Sequence, residues 1–179
     1  MELLLGAGSS RIKKVALPDK KDWDHLVTLD LFETHNPDVV WDMENRPLPF
    51  EADTFDEIHA YDVLEHLSHQ GDWEGFFAEW SEWYRLLKPG GLIFAISPHW
   101  SSPWAWQDPG HRRVYGVEIL TFLDQTAYEK QVGRTPMTDY RSVWRGDFEP
   151  FHVEVNKGGQ FVYILKAHKP VRGIHDQGA

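Results

Sequence analysis

Short apolar runs separated by polar loops make up most of the first 98 residues. Each run has the length expected of a buried strand. Together they predict five strands, with the sequences ELLL, HLVTLD, DVVWDM, FDEIHAYDVL and LIFAIS. The fifth run is apolar on both faces, which is typical of a strand at the centre of a parallel sheet.

The apolar period changes to that of a helix between the fourth and fifth runs. Apolar residues from Trp73 to Leu87 recur at i, i+3, i+4 and i+7, so they form one helical face. Asp72 is the predicted N-cap of this helix. The sequence KPGG is expected to end it, because proline cannot continue a helix and glycine accepts left-handed angles. By contrast, SSRIKKVALPDKKDWD (residues 9–24) is too short and broken to predict a good crossover helix.

The second half of the chain has a less regular pattern. Residues 98–115 predict a long loop rich in Trp, Pro and His, and residues 116–133 predict a helix. The segment FEPFHVEVNKGGQFVYILKAHK predicts two antiparallel strands around a glycine turn. Strands that alternate with crossovers and end in a hairpin predict an α/β fold with a mostly parallel sheet.

Composition and charge argue against several functional classes. No stretch approaches the roughly 20 apolar residues of a membrane span, and the absence of cysteine fits a reducing compartment, so we expect a cytoplasmic protein without membrane contact. The net charge of −10 argues against binding to extended nucleic acid. The acidity belongs to residues 1–98, with 19 acids and 8 bases. Residues 99–179 hold 9 acids and 10 bases and can accept an anionic group.

Polar and glycine residues follow the predicted strands in order: Gly6 and Gly8, then Asp30, then Asp42, then residues 62–66. Ligands of open α/β sheets bind outside the carboxyl ends of the strands. Glycines let a backbone approach a ligand closely, Asp30 can accept the hydroxyls of a ribose, and Asp42 with Met43 suits a purine. Each feature alone is more typical of a turn or a cap. Their occurrence at successive strand ends favours a nucleoside ligand.

The motifs LLLGAGSS, VTLDL, VVWDMENRPLPFEADTFDEIHAYDVLEHL and EWYRLLKPGGLIFAISP resemble class I S-adenosylmethionine-dependent methyltransferases over residues 3–98. QDPGHRRVYGVEILTFLDQ is similar to a segment of small phage-type members. The resemblance implies a Rossmann-like doubly wound, mostly parallel sheet with an antiparallel C-terminal hairpin. We expect this chain to depart from many relatives by lacking helices before strand one. We expect one domain over residues 1–170, made of a cofactor-binding half (1–98), an acceptor-side loop and helix (99–147) and a closing hairpin (148–169), followed by a disordered tail (171–179).

The resemblance also implies the cofactor, S-adenosylmethionine, with S-adenosylhomocysteine as product. The implied cofactor-binding residues are Gly6, Ala7, Gly8, Asp30, Leu31, Asp42, Met43, Tyr61, Asp62 and His66. Two positions depart from the pattern of the family. Leu4 stands where an acid usually precedes the first glycine, and Ser10 replaces the third glycine.

Methyl transfer from a sulfonium needs alignment and desolvation, and a base only where the acceptor loses a proton. The candidate catalytic residues are His111, His99 and Asp108. His66 is a cofactor residue or a packed histidine at a helix start. A metal site of His66, His99 and His111 lacks recognisable ligand spacing, so no metal is predicted.

The acceptor is expected to bind beside HWSSPWAWQDPGHRR, the segment that we expect to cover the site. Its predicted contacts are Trp100, Trp104, Trp106 and Arg112, since aromatic rings can stack on a planar or sugar acceptor. The alternative for the tryptophans is surface packing. The charge pattern favours a small-molecule acceptor. The sequence is compatible with a homodimer and does not determine the oligomeric state.

Two rival functions remain at this point. A non-catalytic relative would bind the cofactor or a partner without methyl transfer, and the departures at Leu4 and Ser10 motivate it. An NAD(P)-dependent oxidoreductase would also use Gly6, Gly8 and Asp30, but it requires a third glycine where Arg11 stands.

Overall fold

The computed structural model describes residues 1–173. Its strands are β1 (Glu2–Leu5), β2 (Leu26–Asp30), β3 (Val39–Val40), β4 (Phe55–Tyr61), β5 (Leu87–Pro98), β6 (Phe148–Val155) and β7 (Gln160–Ala167). Its helices are α1 (Trp73–Leu86), α2 (Trp104–Gln107), α3 (Val117–Leu120) and α4 (Gln125–Gln131). Short 3-10 turns span Glu33–His35, Leu64–His66 and Thr121–Leu123.

All seven strands form one sheet, in the order β3-β2-β1-β4-β5-β7-β6. The first five strands in this order run parallel, whereas β7 is antiparallel to both β5 and β6. The predicted mixed sheet with a closing hairpin is therefore confirmed. Strand order reverses between β1 and β4, and the carboxyl ends of β1, β2 and β4 meet at the same edge beside that point.

Three elements differ from the prediction. Strand β3 has two residues, because the chain leaves the sheet after Val40. Strand β5 begins at Leu87, which pairs with Phe55, so KPGG lies inside the strand and the helix ends before it. The single helix over residues 116–133 is wrong. Asp124 has an extended backbone there and caps α4 by accepting from the Thr126 amide, so the chain forms α3, a 3-10 turn and α4.

Helix α1 confirms the predicted amphipathic face. The Asp72 carboxylate caps it by accepting from the Gly75 amide at 2.9 Å. Trp80 and Trp83 are fully buried and pack against one face of the sheet, in a core that also contains Phe77, Trp144 and Phe148. Trp73, the first residue of the helix, is 41% exposed and does not belong to this core.

The opposite face of the sheet is covered by the irregular segment 9–25, in which the described residues form no helix. Lys13 Nζ lies 3.2 Å from Glu2 Oε1 and 3.0 Å from Glu57 Oε2. Lys20 contacts the same two carboxylates at 2.8 and 2.9 Å. His59 completes this ionic cluster through Glu57 at 2.9 Å. The expected lack of a good first crossover helix is confirmed.

Part of the predicted tail is packed onto the domain. Arg172 forms ion pairs with Asp147 and Asp124, both at 2.8 Å. The prediction of disorder from residue 171 is therefore wrong at Arg172, and residues 174–179 of that segment lie outside the described residues. Among residues 1–173, no helix has the length and apolar character needed to cross a membrane.

Candidate functional site

A cavity of about 940 Å³ opens at the carboxyl edge of β1, β2 and β4. It lies at the point where strand order reverses, which is the usual ligand position in such sheets. The predicted site residues that line it are Gly6, Gly8, Asp30, Leu31, Asp42, Met43, Asp62, His66, His111 and Arg112. Ala7 and Tyr61 line a smaller adjoining cavity of about 190 Å³ instead.

The glycine turn after β1 requires glycine for two reasons. Gly6 and Gly8 have φ of 57° and 55°, a left-handed conformation that side chains rarely adopt. A Cβ atom on Gly6 would lie 2.4 Å from Val63 Cγ2, so this glycine allows the turn to pack against the loop after β4. Beside Gly8 there is open space, since a Cβ atom there would meet nothing within 4 Å. The turn therefore leaves room for a ligand next to its backbone.

Asp30 ties the glycine turn to the end of β2. Its Oδ2 accepts from the Gly8 amide at 2.7 Å, and its Oδ1 accepts from the Phe32 amide at 2.8 Å. His35 Nδ1 lies 3.0 Å from the same Oδ1. Burial alone would raise the pKa of Asp30, but the hydrogen bonds from Phe32, Gly8 and His35 hold it below its usual value. Asp30 is therefore an ionised acceptor at the cavity wall.

The loop after β3 forms the next part of the wall. The Asp42 carboxylate accepts from the Glu44 amide at 2.9 Å, which fixes its orientation, and Met43 is buried beside it. Two residues that the sequence analysis missed, Phe32 and His35, also line the cavity. They follow Asp30 directly, and their position just after a strand end was the signal that could have found them.

Segment 109–112 closes the cavity from the other side. Arg112 forms an ion pair with Glu44, with Nη1 2.8 Å from Oε1 and 2.9 Å from Oε2. Its backbone amide donates to the Glu65 carbonyl, and its carbonyl accepts from the Gln70 amide, both at 2.8 Å. The Arg112 guanidinium, predicted to bind an acceptor, is thus engaged in linking the two walls. The expected cover is formed by Pro109, Gly110, His111 and Arg112.

Two imidazoles and a buried carboxyl group meet where this segment touches the turn after β4. The rings of His66 and His111 are edge to face, with centroids 4.7 Å apart. Glu65 lies behind them, and its Oε2 accepts from Ser97 Oγ at 3.0 Å. Burial raises the pKa of Glu65 to about 7. This corner therefore places a carboxyl group that titrates near neutral pH beside two imidazole rings.

The other predicted acceptor-side residues lie elsewhere. Of the described residues, those that line the main cavity do not include His99, Asp108 or the three tryptophans. His99 Nδ1 contacts Ser101 Oγ at 2.7 Å, and Asp108 Oδ2 is 3.9 Å from His111 Nε2, too far for a hydrogen bond. Trp104 and Trp106 belong to α2, Trp100 precedes it, and all three side chains are exposed. The exposed fractions of Trp100, Trp104 and Trp106 are 53%, 70% and 66%.

Known proteins are similar to this chain both in sequence and in fold. A family model for a methyltransferase domain matches residues 6–95, half of the chain. The sterol 24-C-methyltransferase of Pneumocystis carinii (strain B80) is 37% identical over 73 residues, which are 40% of this chain and 18% of that protein. The chain thus spans less than a fifth of the length of this curated relative.

Solved structures with the same fold cover nearly the whole chain. An S-adenosylmethionine-dependent methyltransferase from Mesorhizobium loti has a TM-score of 0.55 and 16% identity, over 92% of this chain and 89% of its own. The N-methyltransferase NodS from Bradyrhizobium japonicum WM9, solved with S-adenosylhomocysteine, has a TM-score of 0.55 and 14% identity, over 93% and 76%. A putative methyltransferase, solved in complex with the Haloferax volcanii Trm112 activator, has 0.56 and 15%, over 93% and 82%.

These findings confirm the expected family, fold class and type of cofactor. They favour S-adenosylmethionine over the nicotinamide cofactor of the rival interpretation. The similarity to a motif-defined subgroup and to phage-type members stays a prediction. The carboxyl edge of the sheet lines the cavity, and the fold is that of S-adenosylmethionine-dependent class I methyltransferases. Because the family model matches half of the sequence, the chain belongs to the methyltransferase domain family.

Proposed function

We propose that the protein transfers a methyl group from S-adenosylmethionine to a small-molecule acceptor bound in the same cavity. The observation that carries this proposal is the contact between Asp30 and the Gly8 amide, at the edge of a 940 Å³ cavity where strand order reverses. Small-molecule sites usually have volumes of about 300–1,000 Å³, so this cavity has room for a nucleoside cofactor and a small acceptor.

The residues present fit the cofactor along the cavity wall. Asp30 has three of its roughly four lone-pair positions engaged, so an acceptor position is left for a ribose hydroxyl. The Asp42 carboxylate would accept from the amine of adenine, with buried Met43 against the ring. Asp62, whose Oδ2 is 3.0 Å from Lys14 Nζ, would face the methionine portion. Bound there, the cofactor supplies a methyl group on a sulfonium.

The acceptor would enter at the corner between His66 and His111. Both imidazoles line the cavity, and segment 109–112 forms the wall on that side. His111 is the residue that we propose to act on the acceptor, since it is buried and contacts the loop after β4. We place no catalytic role on His99 or Asp108, because neither lines the cavity.

Calorimetric titration with S-adenosylhomocysteine tests the cofactor site. We expect wild-type protein to bind. Asp30→Ala should weaken binding by at least about 10-fold, because one or two charge-assisted hydrogen bonds to the ligand are lost. Asp30→Asn keeps the shape of the side chain and should weaken binding for the same reason. Asp24→Ala is the matched control, because Asp24 is an exposed acid just before the other end of β2.

Absence of binding at millimolar ligand, or equal affinity in wild type and both Asp30 variants, would contradict the site. Incubation with labelled cofactor and a panel of hydroxyl- and amine-bearing acceptors then tests turnover. Binding without any transfer would favour a non-catalytic relative. A fluorescence titration with NADH should give no response.

A further inference from the structure

Three potential metal ligands from two distant parts of the sequence meet beside the cavity. Glu65 and His66 belong to the 3-10 turn after β4, whereas His111 belongs to segment 109–112. One ligand atom of each residue lies within 4.8 Å of the other two. The sequence between His66 and His111 includes α1 and β5, so the fold alone brings these side chains together.

Two of these side chains carry buried polar atoms without protein partners. The side chain of Glu65 is 3% exposed and that of His111 is 9% exposed. Within residues 1–173, Glu65 Oε1 and His111 Nδ1 are buried and have no hydrogen-bond partner. Because buried polar atoms are nearly always hydrogen-bonded, the bare Glu65 Oε1 indicates a missing ligand. His111 faces this oxygen through Nε2, so its Nδ1 is not the atom that would share the ligand.

The spacing fits a shared cation better than a hydrogen-bonded acid–base pair. Glu65 Oε1 lies 3.9 Å from His111 Nε2, longer than the about 2.7–3.2 Å of a hydrogen bond. Atoms that bind one ion at about 2.1 Å are about 3–4 Å apart from each other. Side-chain shifts of less than about 1 Å would therefore bring all three groups into coordination.

The outer hydrogen bonds of His66 and Glu65 are those expected around a metal site. His66 Nδ1 lies 3.0 Å from the Gly110 carbonyl oxygen, which places the proton on Nδ1 and leaves Nε2 free. Ser97 Oγ donates to Glu65 Oε2, which leaves Oε1 free. Glycine at position 110 favours this approach, because a Cβ atom there would lie 3.1 Å from His66 Nδ1.

We propose that Glu65, His66 and His111 bind a divalent transition-metal ion at the edge of the cavity. Two imidazoles and one carboxylate favour Mn²⁺, Fe²⁺, Co²⁺ or Zn²⁺ over Mg²⁺ and Ca²⁺, which prefer oxygen ligands. Three protein ligands leave coordination positions open, as in catalytic metal sites. His66 and His111 line the cavity, so the open positions face it.

The ion would determine which functional group of an acceptor binds at the site. A hydroxyl group that binds at an open position is held in place and loses its proton more readily, because the cation stabilises the oxyanion. The site therefore favours a hydroxyl-bearing acceptor, and His111 would act as a ligand. This role in acceptor binding rests on the proposed function, whereas binding of the ion does not.

Titration of chelator-treated protein with CoCl₂ tests the site, followed by calorimetry and by the visible absorption of Co²⁺ in a nitrogen- and oxygen-ligated site. We expect one ion per chain in wild type. His111→Ala and Glu65→Gln should each lower the affinity by at least about 10-fold. His25→Ala is the matched control, since His25 is an exposed histidine 3.1 Å from Asp24, and it should change the affinity less than about two-fold.

Absence of Co²⁺ binding at millimolar concentration, or unchanged affinity in His111→Ala and Glu65→Gln, would overturn the site. So would a loss of binding in His25→Ala, which would place the ion on the surface. Titration of the Glu65→Gln protein with S-adenosylhomocysteine separates the two proposals. Its affinity for S-adenosylhomocysteine should equal that of wild type, because Glu65 does not line the cavity. Failure of wild type to bind S-adenosylhomocysteine, with Co²⁺ bound as expected, would overturn the proposed function alone. Circular dichroism checks that each variant is folded.

Discussion

The two faces of the sheet are stabilised by opposite chemistry. On the α1 face, Trp80 and Trp83 are fully buried in a core rich in aromatic rings. On the other face, segment 9–25 covers the sheet, and Lys13 is buried between two carboxylates, those of Glu2 and Glu57. One face is held by the burial of a large aromatic core. The other combines a small apolar cluster around Leu4, Tyr61 and Ile96 with a set of buried charges.

The alternation of side chains along β1 and β4 creates this difference. In β4, Ile58 and Ala60 point to the aromatic core, whereas Glu57, His59 and Tyr61 point to the ionic cluster. A helix with an apolar stripe can cover the first set. Segment 9–25 contains no helix; it covers the second set with Lys13 and Lys20, beside the apolar contacts of Val15 and Trp23. The comparison predicts that the two faces respond differently to mutation and to pH.

Trp80→Ala should give the largest loss of stability. The side chain is fully buried, and removal of a buried tryptophan costs about 3–5 kcal/mol through lost burial and the cavity that remains. Urea unfolding followed by circular dichroism measures the change, with Trp80→Phe as a smaller truncation. A loss below about 1 kcal/mol for Trp80→Ala would contradict a tightly packed aromatic face.

Lys13→Met should destabilise the ionic face by about 3 kcal/mol. The substitution keeps the apolar stem and leaves the buried Glu2 and Glu57 carboxylates with Lys20 as their remaining lysine. The same unfolding measurement applies. Adding Glu57→Gln to Lys13→Met should recover part of the loss, because one uncompensated charge is then removed. Simple additivity of the two losses would show that the charges do not act as a set.

Opposite pH dependence should distinguish the faces. Burial raises the pKa of Glu79, in α1, to about 7 from 4.5, so the folded state binds more protons and this group lowers stability as pH rises from about 4.5 to 7. Glu79→Gln should therefore stabilise by about 1–2 kcal/mol more at pH 8 than at pH 5.

Glu57 is the matched comparison for that measurement. Burial would raise its pKa, but hydrogen bonds from His59, Lys20 and Lys13 lower it below its usual value. Its contribution to stability is therefore present above about pH 4.5 and lost as pH falls below it. Glu57→Gln should cost less at pH 3 than at pH 7. The same pH dependence for both variants, measured by urea unfolding, would contradict the difference between the faces.

Trp104→Ala should have the smallest effect on stability. This tryptophan is 70% exposed and belongs to neither face, so the expected change is within about 0.5 kcal/mol. It is a control for Trp80→Ala, with the same change in side chain. A clear increase in KM for an identified acceptor, without a change in stability, would revive the predicted acceptor role of the exposed tryptophans.

The meeting of the proposed cofactor residues at one cavity could be predicted from the sequence, whereas the arrangement of the proposed acceptor side could not. Gly6, Gly8, Asp30 and Asp42 follow strands, and the carboxyl ends of parallel strands meet at one edge by geometry. The positions of His99 and His111 depend on the path of a long loop, which has no period to read. The sequence named both as candidate catalytic residues, and the structure brings only His111 to the cavity.

The sequence by itself determined the strands β1 and β2, the amphipathic helix α1, the closing hairpin and the family. These features depend on local periodicity, on turn residues and on motifs of adjacent residues. Tertiary structure alone decided which polar side chains meet. The contact of Glu65 with His111, and of Lys13 with Glu57, joins residues far apart in the chain, and no local pattern records such pairs.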